Sequence, residues 1–525
     1  MSQLAVALTL FFCLFRVALA QVAIERQEGE IFIQLPKMLV NSERSGHSRV
    51  FVPGLNNSVI AKAPSLPQLS FILEGTPKRL KVKVEVLETE TREGVLPTPG
   101  WDSQLREGAF KPTLVMAEDL YEKEIPDVEM TYLGKFRKKS LTRVKINVAK
   151  YNGKDKTVSV ARQFKITHNS REFRFRTKKF YKYLIIAPVG YAGALESFVA
   201  WKEREGFAVE VEEVHPSLIS TETIKEIVAD HYKTRKVHFV MLVGTEKLIP
   251  THYLKTRFSY RTPSDFPYFA FDGKEDIIPD VFYSRIVVEK PEQLRPILWK
   301  TIEYELGLHT DHSGFQSIAG VASNEGRNPS DDEYIRGIGS MFKGHHGALY
   351  THFGENDIKS NRYKFNQALN RGVAYLTYMG HGTGKTWPSF HESYKTGDID
   401  RLKNQQVVKP VVIDVACQNG KISGTNFIGS KLMAAVDDAG NPLGAVAYYG
   451  GTVNISWHPP AIMAKGIVAE YIDHGVSRRF LGEALLAGQL YLAKNWDRRK
   501  DIVDNARWFH LQGDPGLRIR YDQRR

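Results

Sequence analysis

One histidine and one cysteine stand where they could form a thiol nucleophile with its proton carrier. His381 follows the apolar run Gly372–Met379 within Gly380-His381-Gly382, and Cys417 follows the run Val411–Ala416 within Cys417-Gln418-Asn419-Gly420. Both runs are short, apolar and rich in β-branched or aromatic residues, a pattern that predicts buried strands. Ligands of open α/β sheets bind just past the carboxyl ends of strands, so both side chains fall where chemistry is done. A protonated imidazole lowers a neighbouring thiol's pKa and can protonate a leaving amine. Glycines on both sides of His381 allow close backbone approach, and the amides of Gly382 and Cys417 are the candidate oxyanion donors.

Other chemistries fit less well. The chain has two cysteines, and Cys13 lies in the apolar N-terminal segment, so removal of that segment leaves Cys417 as the one thiol. Its bland alternative is a buried, inert cysteine. Asp414 precedes Cys417 by three positions and, with strand period two, points to the opposite face, so it stands outside the catalytic group; its burial requires a partner. Gly380 to Thr386 resembles a phosphate-binding loop, but counting back from Gly384 places Met379 where that motif needs glycine. No helix-borne His-Glu-x-x-His pattern and no Gly-x-Ser-x-Gly elbow occurs.

Two kinds of architecture must position these residues. From about 21 to 170 the pattern is all-β: Lys81–Val86 and Val144–Val148 alternate, and Asn152-Gly153 marks a hairpin before Thr157–Val160 and Phe164–Ile166. That predicts a sandwich of antiparallel strands. A basic stretch follows, with Arg171, Arg174, Arg176, Lys178 and Lys179 as a candidate processing site. After Phe180 strands alternate with helices: strands at 183–187, 208–214, 237–243, 281–288, 317–323, 348–353 and 443–449, helices at 194–205, 221–233, 291–306, 332–343 and 427–438. Such alternation predicts a mostly parallel sheet covered on both faces. The predicted division is a leader at 1–20, a β-sandwich propeptide at 21–176 and a catalytic domain at 177–525, with halves 177–306 and 307–525.

The order of histidine before cysteine excludes the papain arrangement and fits the caspase-like one. Gly380-His381-Gly382-Thr383 through Trp387 and Phe390, with Asp414-Val-Ala-Cys417-Gln-Asn-Gly420, resembles the gingipain family of cysteine peptidases. Val321–Gly326, Gly444–Ala447, Asn454–Pro460, Gly513-Asp514-Pro515 and Pro64–Pro67 extend the resemblance over most of residues 21–525. It implies a caspase-like α/β/α endopeptidase made as a zymogen, with Cys417 as nucleophile, His381 as partner and Glu325 orienting the histidine. It implies cleavage after Arg or Lys through a thioester acyl-enzyme, with Asp331, Asp332 and Trp457 in the substrate pocket and the propeptide as inhibitor. Structural calcium is implied, for which Asp265, Asp272, Glu275 and Asp276 are the candidates; no cofactor is required for the chemistry. The chain ends at Arg525, so the immunoglobulin-like and secretion domains of gingipains are not expected here.

The whole-chain numbers agree with this picture. The 525 residues, 42% hydrophobic and 25% charged, allow large cores without disulfides. Net charge is +13 with no long like-charged block, and no nucleic-acid partner is expected. Leu4–Phe15 followed by Ala18-Leu19-Ala20 reads as a secretory leader, too short to span a bilayer, and predicts a secreted or periplasmic protein with no transmembrane segment. The competing readings are a catalytically silent surface binding protein and, more weakly, a nucleotide-binding protein using residues 380–386.

Overall fold

The computed structural model describes residues 22–27, 29–100, 104–106, 115–175, 178, 180–273, 275–327, 329–346, 348–473 and 480–520. The predicted leader lies outside them, as do Arg176 and Lys179 of the basic stretch. The chain forms two compact units. The first comprises Met1–Asp102, Pro112–Arg174 and Ala493–Arg498; the second comprises Ser103–Lys111, Phe175–Leu492 and Arg499–Arg525. The division falls between Arg174 and Phe175, and one short segment, Ser103–Lys111, belongs to the second unit although first-unit sequence flanks it on both sides.

In the first unit, period-two alternation yields two larger antiparallel sheets, besides a two-stranded pair of Leu39–Ser42 with Ser48–Phe51. One contains Ala23–Gln27, Glu30–Gln34, Thr157–His168, Ala149–Asn152 and Val82–Arg92; the other contains Asn56–Asn57, Pro67–Glu74, Lys139–Ile146 and Val128–Phe136. Inward residues Ile31, Ile33, Leu73, Val144, Ile146, Val158, Val160 and Phe164 share one core. The two runs expected at 157–160 and 164–166 are one strand, Thr157–His168, which carries a bulge at Ala161–Phe164. Val82–Arg92 alternates as expected but stays largely exposed, with Val86 at 48%. Among the described residues it pairs with Thr157–His168 alone; Val82 and Val84 pack against the core, while Val86 and Leu87 beyond them stay exposed.

The second unit carries two further main sheets. The first runs in the order Phe207–Val214, Tyr181–Pro188, Phe239–Val243, Phe282–Ile286, all parallel. The second runs Leu349–Gly354, Ser317–Ala322, Tyr375–Met379, Val411–Val415, Ala447–Gly451, Phe509–Gln512; the last strand is antiparallel and the others parallel. Phe239–Val243, Tyr375–Met379 and Val411–Val415 are buried at every position, as strands covered on both faces must be. Helix Pro291–Leu306 ends at Gly307, whose φ of 71° supplies the left-handed cap at the expected join of the halves. Helices His458–Asp473, Leu481–Asn495 and Arg499–Trp508 close the unit and went unforeseen. Among the described residues no helix is long and apolar enough to cross a membrane.

Candidate active site

Two neighbouring strands present the site. Tyr375–Met379 and Val411–Val415 are parallel and in register, with Met379 opposite Val415. His381 and Cys417 each stand two residues past that matched pair. Adjacent strands lie about 4.8 Å apart, so the topology brings the two loops side by side. Their packing explains Gly382: a Cβ there would come within 2.2 Å of the Cys417 carbonyl oxygen. Among the described residues the Gly382 amide donates to no backbone oxygen.

His381 is held from several directions. Its amide donates to Ser389 Oγ at 3.1 Å, and its carbonyl accepts from the Tyr378 hydroxyl at 2.7 Å. Its ring stands edge-on to Trp457, with centroids 5.6 Å apart. Nε2 lies 3.1 Å from Glu325 Oε1, on the loop after strand Ser317–Ala322. Cys417 is buried, at 1% exposure, and the Ile455 amide points at its sulfur from 3.5 Å. The next residue, Gln418, adopts φ of 65°, a left-handed conformation rare outside glycine, so the chain turns sharply right after the thiol.

A pocket for a cation lies beside this pair. Asp331 opens helix Asp331–His346; its amide donates to the Glu325 carbonyl at 3.0 Å. Its Oδ2 accepts from Ser323 Oγ at 2.7 Å and from the Arg106 guanidinium at 2.6 Å. The same guanidinium donates to the Trp457 carbonyl at 2.7 Å and lies over the Trp457 ring, 4.3 Å from its centroid. The Arg106 and Asp331 side chains are 1% and 3% exposed. The backbone of this segment pairs like an added strand: Trp457 donates to Gln104, Leu105 bridges Ser456 antiparallel, and Arg106 donates to Ile455 at 2.8 Å. Ile455 therefore touches both the Arg106 backbone and the Cys417 sulfur. Asp332, the neighbouring candidate, faces Arg336 at 2.7 Å and His352 at 2.9 Å instead. His458 is buried next to the pocket, and burial with the Arg106 charge pushes its pKa down to about 3.

Asp414 is fully buried and finds the partner its burial requires. Its Oδ2 accepts from Trp387 Nε1 at 2.6 Å, Asn419 Nδ2 at 3.2 Å and the Tyr448 hydroxyl. Desolvation raises its pKa to about 6, against the lowering effect of those hydrogen bonds. The glycine-rich segment does not form a phosphate cradle: the Gly384 amide donates to Asn419 Oδ1 at 2.8 Å, and Thr386–Trp387 pair as a strand with Tyr394–Lys395 rather than opening a helix.

The four carboxylates expected at a cation site do not all converge. Asp272 and Asp276 come together, joined by Asp280, with oxygens within 4.8 Å of one another. Asp265 is engaged elsewhere: it is buried in a two-pronged pair with Arg285, both contacts at 2.7 Å. Glu275 turns to solvent, near Arg499. A buried aspartate and a loop aspartate look alike in sequence, which is why Asp265 was grouped with the others. Arg106 and Ser323 were missed because neither carries a motif of its own.

The comparisons with known proteins bear on this geometry. The model of peptidase family C25 matches residues 176–520. Gingipain R2 of Porphyromonas gingivalis is 28% identical over 351 residues, 64% of this chain and 46% of the relative, so the chain spans about half that protein's length. A Lys-gingipain of the same organism is 23% identical over 312 residues, 58% of this chain and 17% of that relative. Among solved structures, a complex of the Porphyromonas gingivalis RgpB pro- and mature domains aligns with a TM-score of 0.59 at 26% identity, over 65% of this chain and 80% of that one. The Arg-specific cysteine proteinase gingipain R gives the same TM-score at 24% identity, over 66% and 80%. With the match covering the larger part of the sequence and the α/β fold in common, the chain belongs to peptidase family C25.

Proposed function

We propose that this protein is a cysteine endopeptidase made as a zymogen and selective for arginine at the residue before the cut. Cys417 attacks the scissile carbonyl to form a thioester, and the amides of Gly382 and Cys417 receive the oxyanion. His381 takes the thiol proton and returns it to the leaving amine, with Glu325 holding the ring through Nε2 and leaving Nδ1 for proton transfer. Water then hydrolyses the thioester. No metal is needed for these steps; structural calcium, in this reading, belongs at Asp272, Asp276 and Asp280, whose oxygens suit a hard cation.

The observation that carries the reading is Arg106 in its buried pocket. Asp331 and the Trp457 carbonyl take separate nitrogens of one planar guanidinium while the indole covers its face. A lysine ammonium has neither the fork nor the plane. The strand-like pairing of residues 104–106 with 455–457, one residue from the thiol, is how a substrate's residues before the cut would lie. The propeptide segment thus imitates substrate and keeps the enzyme latent. The gingipain relatives support the reading: one solved structure is of an Arg-specific cysteine proteinase, and another is of pro- and mature domains in complex. A peptide library tests it: activated chain should cut after arginine in preference to lysine, and Cys417→Ala should release nothing. Equal cutting after apolar residues, or activity in Cys417→Ala, refutes it.

A further inference from the structure

The acyl-transfer scheme leaves Asp414 unused, although it sits three residues from the nucleophile. Its Oδ2 gathers donors from three elements: Trp387 after the histidine loop, Asn419 after the cysteine, and Tyr448 on the neighbouring strand. Oδ1 has no hydrogen-bond partner among the described residues. Asn419 passes the constraint on. A carboxylate only accepts, so it draws the amide nitrogen of Asn419 towards itself and turns the amide oxygen to the histidine loop, where it accepts from Gly384. The loop after His381 is thereby tied to the loop after Cys417. Gly382 sits in that junction with no room to spare: a Cβ there would also lie 2.8 Å from Asn419 Nδ2.

We propose that Asp414 is a positioning residue which, through Asn419, sets the spacing of the His381 and Cys417 loops and so aligns the Gly382 amide with the thiol. The inference rests on the peptidase reading above. The ionised carboxyl is the form that directs Asn419. The groups facing it are Tyr448, Trp387 and Asn419 in contact, Tyr378 close by, and the Arg106 guanidinium at longer range.

The test is steady-state hydrolysis of an arginyl peptide amide by wild type, Asp414→Asn, Asn419→Ala and the double variant, each activated by limited trypsin that is then quenched. Asn419→Ala should lower kcat about 10- to 100-fold with KM within about three-fold, because only alignment is lost. Asp414→Asn should lower kcat less, and the double variant should be no worse than Asn419→Ala alone, since both act through one contact. Ile185→Ala, in the other sheet, controls for general destabilisation and should keep its kcat at a comparable fall in Tm. Should Asp414→Asn not fold, Asn419→Ala alone carries the test. Asn419→Ala within two-fold of wild type in kcat, a loss confined to KM, or fully additive effects overturn the proposal while the peptidase reading stands. A wild-type chain that hydrolyses no arginyl peptide overturns the peptidase reading and this inference with it.

Discussion

Replacing Arg106 should release the latent enzyme, by an amount that the pocket geometry sets. Arg106 and Asp331 form a nearly dry ion pair at 2.6 Å, with a second guanidinium bond to the Trp457 carbonyl and an indole across its face. Removing one member of such a pair costs about 3–5 kcal/mol. At about 1.4 kcal/mol per decade, the segment's occupancy of the pocket in Arg106→Ala should fall by about two to nearly four orders of magnitude. Arg106→Lys keeps the charge but loses the second prong and the flat stacking, about 1–2 kcal/mol, hence about ten-fold. The assay is alkylation of Cys417 by iodoacetamide in the uncleaved chain, where the thiol is 1% exposed with the segment seated. The order expected is wild type slowest, Arg106→Lys intermediate and Arg106→Ala fastest. Equal rates for all three, with Tm values showing each folded, would refute the substrate-mimic account.

Three further outcomes follow from the geometry. Glu325→Gln should lower kcat about ten-fold and leave KM nearly unchanged, because a charge-assisted contact of 3.1 Å to His381 becomes a neutral one; unchanged kcat would remove Glu325 from the mechanism. Asp414 titrates at about 6 in the folded chain against an ordinary 3.8. The native state thus holds the proton more tightly, and the group's stabilising contribution is full below about pH 4 and lost as pH rises through 6, a change of about 3 kcal/mol. Urea midpoints of wild type should therefore fall relative to Asp414→Asn between those pH values, and parallel curves would contradict the assignment. Activation should cut no earlier than Arg174, because Arg171 accepts from the Glu74 amide at 2.9 Å and Phe173 donates to Ile72 at 2.8 Å, whereas the Arg174 side chain is 62% exposed. N-terminal sequencing after activation decides this, and a new terminus at Glu172 would show that the pairing does not protect.

The site's two chemical residues were legible because each ends an apolar strand, and strands announce themselves by run length and β-branched content. Their register was not legible: only the sheet order places Met379 opposite Val415. Asp331 was reached through family resemblance, as a closer match than Asp332; what the sequence did not show is that the helix start turns one carboxylate to Arg106 and the other to Arg336. Arg106 could not be found among 72 lysines and arginines, since its meaning lies in a pocket built from distant sequence. Of the three closing helices, Leu481–Asn495 escaped because it is buried on more than one side, which blurs the 3.6-residue stripe. Asp414 showed the reverse: strand periodicity correctly turned it away from the thiol, but its partners Trp387, Asn419 and Tyr448 come from three separate segments.

The central claim is that Cys417, served by His381, attacks peptides presented by an arginine in the Asp331 pocket. An arginyl chloromethyl ketone offered to the activated chain tests this most directly, with the adduct located by peptide mapping. The expected result is a single adduct on Cys417, formed faster than with the lysyl reagent, and slowed at least ten-fold in both His381→Ala and Asp331→Asn. An adduct on another residue, or arginyl and lysyl reagents reacting at equal rates that Asp331→Asn leaves unchanged, would contradict it.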